Sequence, residues 1–311
     1  MPEFGAYLAR RWAADRPDVT HAHFWMSGLA ALEGARELDI PVAQTFHALG
    51  SVKRRHQGAQ DTSPADRIRL ERQILQRVDA IVALCGDEVA ELVRLDAPLH
   101  RMHVIPCGVD VDAFTPQGPA APRDDRPRIL TLSRLVPRKG IQTVLQALQE
   151  LPGVELVIAG GPSADELVTD PEADRLRKIA EECGVSDRVR FLGRIARQDV
   201  PALLRSADVL VAVPWYEPFG MTALEALACG VPVVASAVGG FLDTITDGVT
   251  GAHVPPSRPD LLAERLHTLI TDPHLRAAYG TAGAEHARTR YSWHHIAART
   301  LDMYRTMTSR R

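Results

Sequence analysis

The sequence has no surplus of positive charge: 36 Lys and Arg stand against 39 Asp and Glu, a net charge of −3 over 311 residues. A generic nucleic-acid binder shows a basic excess, so no nucleic-acid partner is expected. Cysteine is scarce. Cys85, Cys107, Cys183 and Cys229 are scattered, with no Cys-x-x-Cys pair, which excludes a zinc knuckle and a disulfide framework. Cys85, Cys107 and Cys229 each adjoin a glycine near apolar runs, and read as small buried hydrophobes in a reducing cytoplasm. No apolar run approaches the ~20 residues that span a bilayer, so no transmembrane segment is expected. The N-terminus lacks a basic-then-apolar signal pattern. There is also no Gly-x-x-x-x-Gly-Lys-Ser/Thr phosphate loop.

What is present is enough apolar residue, 45% of the chain, for two domains of ordinary size. The second half alternates Val- and Ile-rich runs with helical segments. Strands are expected at 128–133, 154–159, 188–192, 208–213 and 231–236, and helices at 141–151, 174–183, 199–205 and 221–229. That alternation indicates a parallel sheet covered on both faces, the doubly wound α/β pattern. The first half repeats the style with strands at 19–23, 42–47, 80–84 and 103–106 and helices at 4–14, 28–38, 64–77 and 87–95. Pro116, Gly118, Pro119, Pro122 and Pro127 mark a linker at 115–128, where the domain boundary is placed. After about residue 259 the pattern is helical to the end, with Ser292 as a good N-cap for the last helix.

Two constellations carry the chemistry. The run 208–213 ends at Pro214, and the loop Glu217-Pro218-Phe219-Gly220 leads into a helix beginning near Met221. Ligands of open α/β sheets bind beyond the carboxyl ends of strands. Gly220 lets a backbone approach closely, and the amides at 220–223 form an anion site. Glu225 is a lone carboxylate on a helix of Ala, Leu, Met and Cys, expensive to bury unless hydrogen-bonded. Vicinal ribose hydroxyls would serve; pairing with an Arg of a neighbouring element, or exposure to water, is the plain alternative. The second constellation is Arg134 and Lys139, on the loop from strand 128–133 to the next helix. An anion between them would offset the unfavourable placement of cations at a helix N-terminus; a solvated basic loop is the alternative. Gly160-Gly161-Pro162 permits close approach and is equally an ordinary turn.

In the first half, His47 follows a strand and precedes the basic loop Lys53-Arg54-Arg55-His56. His47 faces either a reaction centre or a structural role, and the basic run either an anionic acceptor or solvent. Asp110-Val111-Asp112 resembles an Asp-x-Asp metal-binding pair, but sits by the Pro-rich linker and reads as incidental. His21 and His23 share one strand face without a third ligand, so no metal is expected.

Taken together these segments resemble the retaining, two-Rossmann-domain glycosyltransferases of family 4 (GT-B type). Ser133-Arg134-Leu135 with Lys139-Gly140 is similar to the family's "GRL…KG" segment. Glu217-Pro218-Phe219-Gly220, Glu225-Ala226 and Gly230-Val231-Pro232-Val233-Val234-Ala235 resemble its Glu-x7-Glu signature and following strand. Val104 to Asp110 followed by Phe114 resembles its interdomain approach. The resemblance implies two Rossmann-like doubly wound domains facing across a cleft. Residues 1–122 would form an acceptor domain, 123–291 the donor domain, and the helix 292–311 would pack back on the first. Family members open with a strand and a glycine-rich loop. Before His47 this chain has only isolated glycines, so the N-terminal domain is expected to be incomplete.

The resemblance also implies roles. Arg134 and Lys139 would neutralise the donor diphosphate, and Glu225 would bind the ribose hydroxyls. Glu217, with the amides around Phe219, Gly220, Met221 and Thr222, would bind the donor sugar. Arg194 would lie by the nucleobase and His47 by the sugar and acceptor, with Lys53 and Arg54 against an anionic acceptor, small or lipid-linked. The implied reaction moves a sugar from a nucleotide-diphosphate sugar with retention of configuration, without metal or other cofactor. The implied location is the cytoplasm, free or peripheral to the membrane. Two alternatives remain at this level: a truncated nucleotide-sugar-binding protein without transfer, and a nucleotide-sugar epimerase on the same architecture.

Overall fold

The short apolar runs become parallel strands in the structure, a computed structural model that describes residues 1–309. The chain forms two compact units, one of Met1–Cys107 with the chain from His294 onward, the other of Gly108–Trp293.

In the first unit, α1 (Pro2–Ala14) precedes β1 (Thr20–His23), α2 (Phe24–Ala35), β2 (Val42–Thr45), α3 (Gly50–Gln57), α4 (Arg67–Arg77), β3 (Ala80–Ala83), α5 (Gly86–Arg94) and β4 (Met102–Val104). The four strands pair in parallel in the order β1-β2-β3-β4. Every residue of β2 and β3 is buried, as expected for strands covered on both faces.

In the second unit, β5 (Arg128–Leu132) leads to α6 (Ile141–Leu148), β6 (Glu155–Ala159), α7 (Pro171–Glu182), β7 (Val189–Gly193), α8 (Val200–Arg205) and β8 (Val209–Ala212). There follow α9 (Met221–Ala228), β9 (Val233–Ser236), the short α10 (Phe241–Thr244), β10 (Gly251–Val254), α11 (Pro259–Thr271) and α12 (Pro273–Arg290). The sheet runs β10-β9-β8-β5-β6-β7. Numbered within the unit, this is the dinucleotide-fold order 3-2-1-4-5-6, whose strand order reverses between β5 and β8. Leu130, Leu156, Val209, Leu210, Val233 and Val234 are fully buried in it, each fully buried aliphatic side chain contributing about 1.5–3 kcal/mol. Glu155, also fully buried, opens β6 and pairs with Arg128 Nε at 2.5 Å.

The last helix, α13 (Trp293–Ser309), belongs to the first unit from His294 on. Its Ile296, Met303 and Met307 pack with Ala43, Ala80, Val82 and Ile105. Residues 310 and 311 of the expected helix 292–311 lie outside the described residues.

The structure corrects several expectations. The unit boundary falls before the Pro-rich stretch rather than at 122/123, because that stretch packs on the second unit: Ala121 N donates to Ala202 O at 2.8 Å, and Arg205 donates to the carbonyls of Thr115 and Pro119. The helix expected at 28–38 starts at Phe24, where no side chain caps it and so no sequence signal marks it. Lys53, Arg54 and Arg55 are not on a loop but on α3, since Lys, Arg and Gln are good helix formers and Val52 anchors the inner face. The strand expected at 42–47 stops at Thr45, leaving His47 beyond it. A sixth strand of the second sheet, β10, had no expected counterpart; it is four residues long and begins at a glycine.

Candidate active site

The two motif loops of the second unit flank its switch point. Residues after β5 carry Arg134 and Lys139; residues after β8 carry Glu217. The loops are tied by a backbone bond from Trp215 N to Arg138 O at 2.9 Å. Lys139 Nζ then lies 2.5 Å from Glu217 Oε2, both side chains mostly buried. Gly140 makes this approach possible. Its φ is +71°, and a Cβ there would sit 2.0 Å from Val213 O. Arg138, which no sequence motif singled out, stands in the same cluster. Burial and the neighbouring Arg134 pull its pKa down, while Glu217 opposes them.

Glu217 O accepts from Gly240 N at 3.0 Å, which fixes the loop from behind. Phe219 is buried with its ring 6.2 Å from Tyr291. Gly220 has φ +93°, and a Cβ there would sit 2.2 Å from the Phe241 ring. Met221 and Thr222 open α9, so their amides have no carbonyl of a preceding turn to bond. The amide of Ala223 is different: it donates to Gly220 O at 3.1 Å, so the expected anion site is narrower by one donor.

Glu225 is buried on α9. Of the two environments open to it, the structure shows an arginine partner: Arg197 Nη1 lies 2.6 Å from its Oε1. Burial pushes the Glu225 carboxyl above its ordinary range, and Arg197 pulls against that. Sequence reading missed Arg197, because a contact 28 residues away through an intervening strand has no local signature. Arg194 follows β7 directly; its amide donates to Pro162 O at 2.7 Å and its side chain is exposed. Gly160 keeps a left-handed φ of +103° because a Cβ would meet Ser133 O at 2.2 Å, so packing against the loop after β5 already accounts for it.

In the first unit, His47 adopts φ +59° two residues beyond the end of β2. Its Nε2 lies 2.8 Å from His23 Nδ1, and its ring neighbours those of His23 and Phe24. His21 stacks on His23 and bonds Tyr304 Oη at 2.7 Å and Thr45 Oγ1 at 2.8 Å. Burial holds His21 down to about 4, with the neighbouring histidines adding to the effect. His47 is lowered by burial and by His23, and His23 by burial. The trio is therefore neutral near pH 7. The turn after His47 is held from below: Gly50 N donates to both oxygens of buried Glu71, which pairs with Arg67 at 2.8 Å, and Arg67 donates to Ala48 O.

Lys53 is held by Asp61 at 3.1 Å and Ser63 at 3.1 Å, and Arg55 by Glu91 at 2.7 Å, so the basic run is largely neutralised. Arg54 is exposed, with a long bond to Ala65 O at 3.5 Å. Asp110 Oδ1 accepts from the amides of Asp112 and Ala113, so this Asp-x-Asp pair closes a turn. Among the described residues no group of three His, Cys, Asp or Glu side chains is arranged to hold a metal ion. No described helix is long and apolar enough to cross a membrane.

Comparison with known proteins identifies the family. Residues 117–286 match the family described as glycosyl transferases group 1, and residues 1–113 match glycosyltransferase family 4. A D-inositol 3-phosphate glycosyltransferase of Xylanimonas cellulosilytica is 40% identical, over 94% of this chain and 73% of that protein. One of the same description from Mycolicibacterium smegmatis is 37% identical, over 97% of this chain and 70% of its own length. A solved sucrose-phosphate synthase of Thermosynechococcus elongatus superposes with a TM-score of 0.88 at 29% identity, over 100% of this chain and 78% of that one. With two parallel-sheet Rossmann-like units and both halves matched, the chain belongs to the family-4 glycosyltransferases of the GT-B fold.

Proposed function

We propose that the second unit binds a nucleotide-diphosphate sugar at its switch point and that the enzyme transfers the sugar with retention of configuration, without a metal. The observation that carries this reading is the Lys139–Glu217 contact between the loops after β5 and β8, with Arg134 and Arg138 on the first loop and the open amides of α9 following the second. Breaking the sugar–phosphate bond sends its electron pair to the diphosphate, while the sugar takes on oxocarbenium character. Fixed cations and helix amides stabilise the first; the Glu217 carboxylate favours the second. The acceptor oxygen attacks from the leaving-group face, its proton passing to the departing phosphate oxygen. Glu225 receives the ribose hydroxyls and Arg194 lies by the base, while His47, in the first unit, serves the acceptor. The acceptor is a small anionic polyol, for which D-inositol 3-phosphate, the substrate named for the 40%-identical relative, is the first candidate. Arg54 supplies an exposed cation for it, and Lys53 a second one on release from Asp61.

The test is transfer to D-inositol 3-phosphate from a panel of UDP-, GDP- and ADP-sugars, with the product anomer read by NMR. The reading requires retained configuration and turnover in EDTA. An inverted product, or activity abolished by chelation, would overturn it.

A further inference from the structure

Glu225 is held by a residue that the donor-site motifs do not include. Arg197 stands in the turn between β7 and α8, while Glu225 is one turn into α9. The guanidinium lies 2.6 Å from Glu225 Oε1 and 4.6 Å above the ring of Phe114. Phe114 is 2% exposed and comes from a third segment, fixed by its amide to Asp110 O at 2.8 Å. The Arg197 side chain itself is 65% exposed, against 6% for Glu225. A surface arginine with that much freedom would ordinarily wander. Here one face rests on an immobile aromatic ring and one nitrogen is spent on a buried carboxylate, two restraints that define a single position.

Only Oε1 is engaged; among the described residues no hydrogen bond reaches Glu225 Oε2. We infer that Arg197 is a positioning residue for the donor's ribose: seated on Phe114, it clamps one oxygen of Glu225 and leaves the other presented to the vicinal hydroxyls. This rests on the reading of Glu225 as the ribose acceptor. The chemistry is specific. An ionised carboxyl accepts at both oxygens, whereas protonation turns one of them into a donor, and burial works against ionisation at this site. Other titratable groups nearby do not supply the compensating charge. Cys229, one turn on, has its thiol pushed up to about 12 by burial and is uncharged, and Arg205 is directed to that thiol and to the carbonyls of Thr115 and Pro119. Arg197 is thus, among the described residues, the cation in contact with Glu225, and recognition of the ribose hydroxyls depends on it.

The experiment is calorimetric binding of UDP, GDP and ADP and of their 2′-deoxy counterparts between pH 5 and 8, to the wild-type chain and to Arg197→Ala, Arg197→Lys and Glu225→Ala. With the tightest of these diphosphates, the wild type should prefer the ribo form by about tenfold or more, the factor that corresponds to one good hydrogen bond. Arg197→Ala should lose most of that preference, and the weakening of ribo binding on acidification should begin at higher pH than in the wild type. Arg197→Lys, which keeps the charge but not the planar seat on Phe114, should fall between. If Arg197→Ala keeps the wild-type preference and pH profile while Glu225→Ala loses the preference, the role of Arg197 is refuted and that of Glu225 stands. If Glu225→Ala keeps the preference, the ribose reading of Glu225 fails and this inference with it. If no diphosphate binds the wild type, the donor site itself is misassigned.

Discussion

Lys139 Nζ and Glu217 Oε2 lie 2.5 Å apart, although 78 residues separate them in the chain. The contact joins the loops on either side of the strand-order reversal, where ligands of this sheet class bind. It also means that the cation expected to meet a diphosphate already has an anion beside it. On the proposed reading, Glu217 and a phosphate would compete for Lys139 until a sugar gave the carboxylate another task. Glu217→Gln should therefore bind a nucleoside diphosphate at least as tightly as wild type, while transfer falls by about 100-fold, the usual scale for one electrostatic group at a developing charge. Calorimetry alongside a transfer assay separates the two. A fall in diphosphate affinity would contradict this account of Glu217.

Gly140 places Lys139. An alanine there meets Val213 O, so the loop must move. Gly153, with φ +76° and nothing within 4 Å of where a Cβ would stand, is the natural control. Gly153→Ala should cost only about 1–2 kcal/mol, the backbone strain of a left-handed alanine. Gly140→Ala should cost more than that and weaken diphosphate binding as well. Equal destabilisation in urea melts, with unchanged binding, would remove the close approach as the reason for Gly140.

The histidine trio makes stability sensitive to acid. His21, His23 and His47 are all lowered, His21 to about 4, so the native state holds them neutral where the unfolded chain takes up protons. Their contribution is present above the unfolded value near 6.5 and is lost as pH falls toward 4. For His21 alone the full loss is on the order of 3 kcal/mol, at about 1.4 kcal/mol per pH unit. Urea unfolding at stepped pH should show this slope, and His21→Gln, whatever its baseline, should flatten it. A slope unchanged in that variant would show that other groups carry the acid sensitivity.

How much of this was legible in the sequence follows from the range of each interaction. The alternation of strands and helices in the second unit is written in local hydrophobic runs, and the structure follows them at β5, β6, β8 and β9. β10 escaped because four residues between turns show no alternation. The motif loops were legible because glycines and lone charges stand out beside apolar strands. Arg138 and Arg197 were not, because what distinguishes them is a neighbour distant in the chain, Glu217 and Glu225 respectively. His21 and His23 stand out in the sequence as a pair on one strand face; their link to His47 depends on β1 and β2 running in register, Ala22 beside Gln44. The boundary at Cys107 was hidden by prolines that look like a linker but lie against α8.

The His47 turn rests on Glu71. That carboxylate is fully buried, pairs with Arg67 and takes the amide of Gly50. Glu71→Ala leaves a buried guanidinium uncompensated, which typically costs about 3–5 kcal/mol. Amide exchange should quicken first around residues 48–52. Destabilisation below about 1 kcal/mol, within the range of an exposed pair, would show that the pair is not the support of this turn.

The central claim is that a nucleoside diphosphate sits on Arg134 and Lys139. Calorimetric titration of wild type and of the Arg134→Ala/Lys139→Ala double variant with the preferred diphosphate tests it most directly. Two charge-assisted hydrogen bonds at about 1.5–3 kcal/mol each predict a loss of affinity of about 100-fold or more in the folded variant. Affinity unchanged within about threefold, less than half of one such bond, would contradict it.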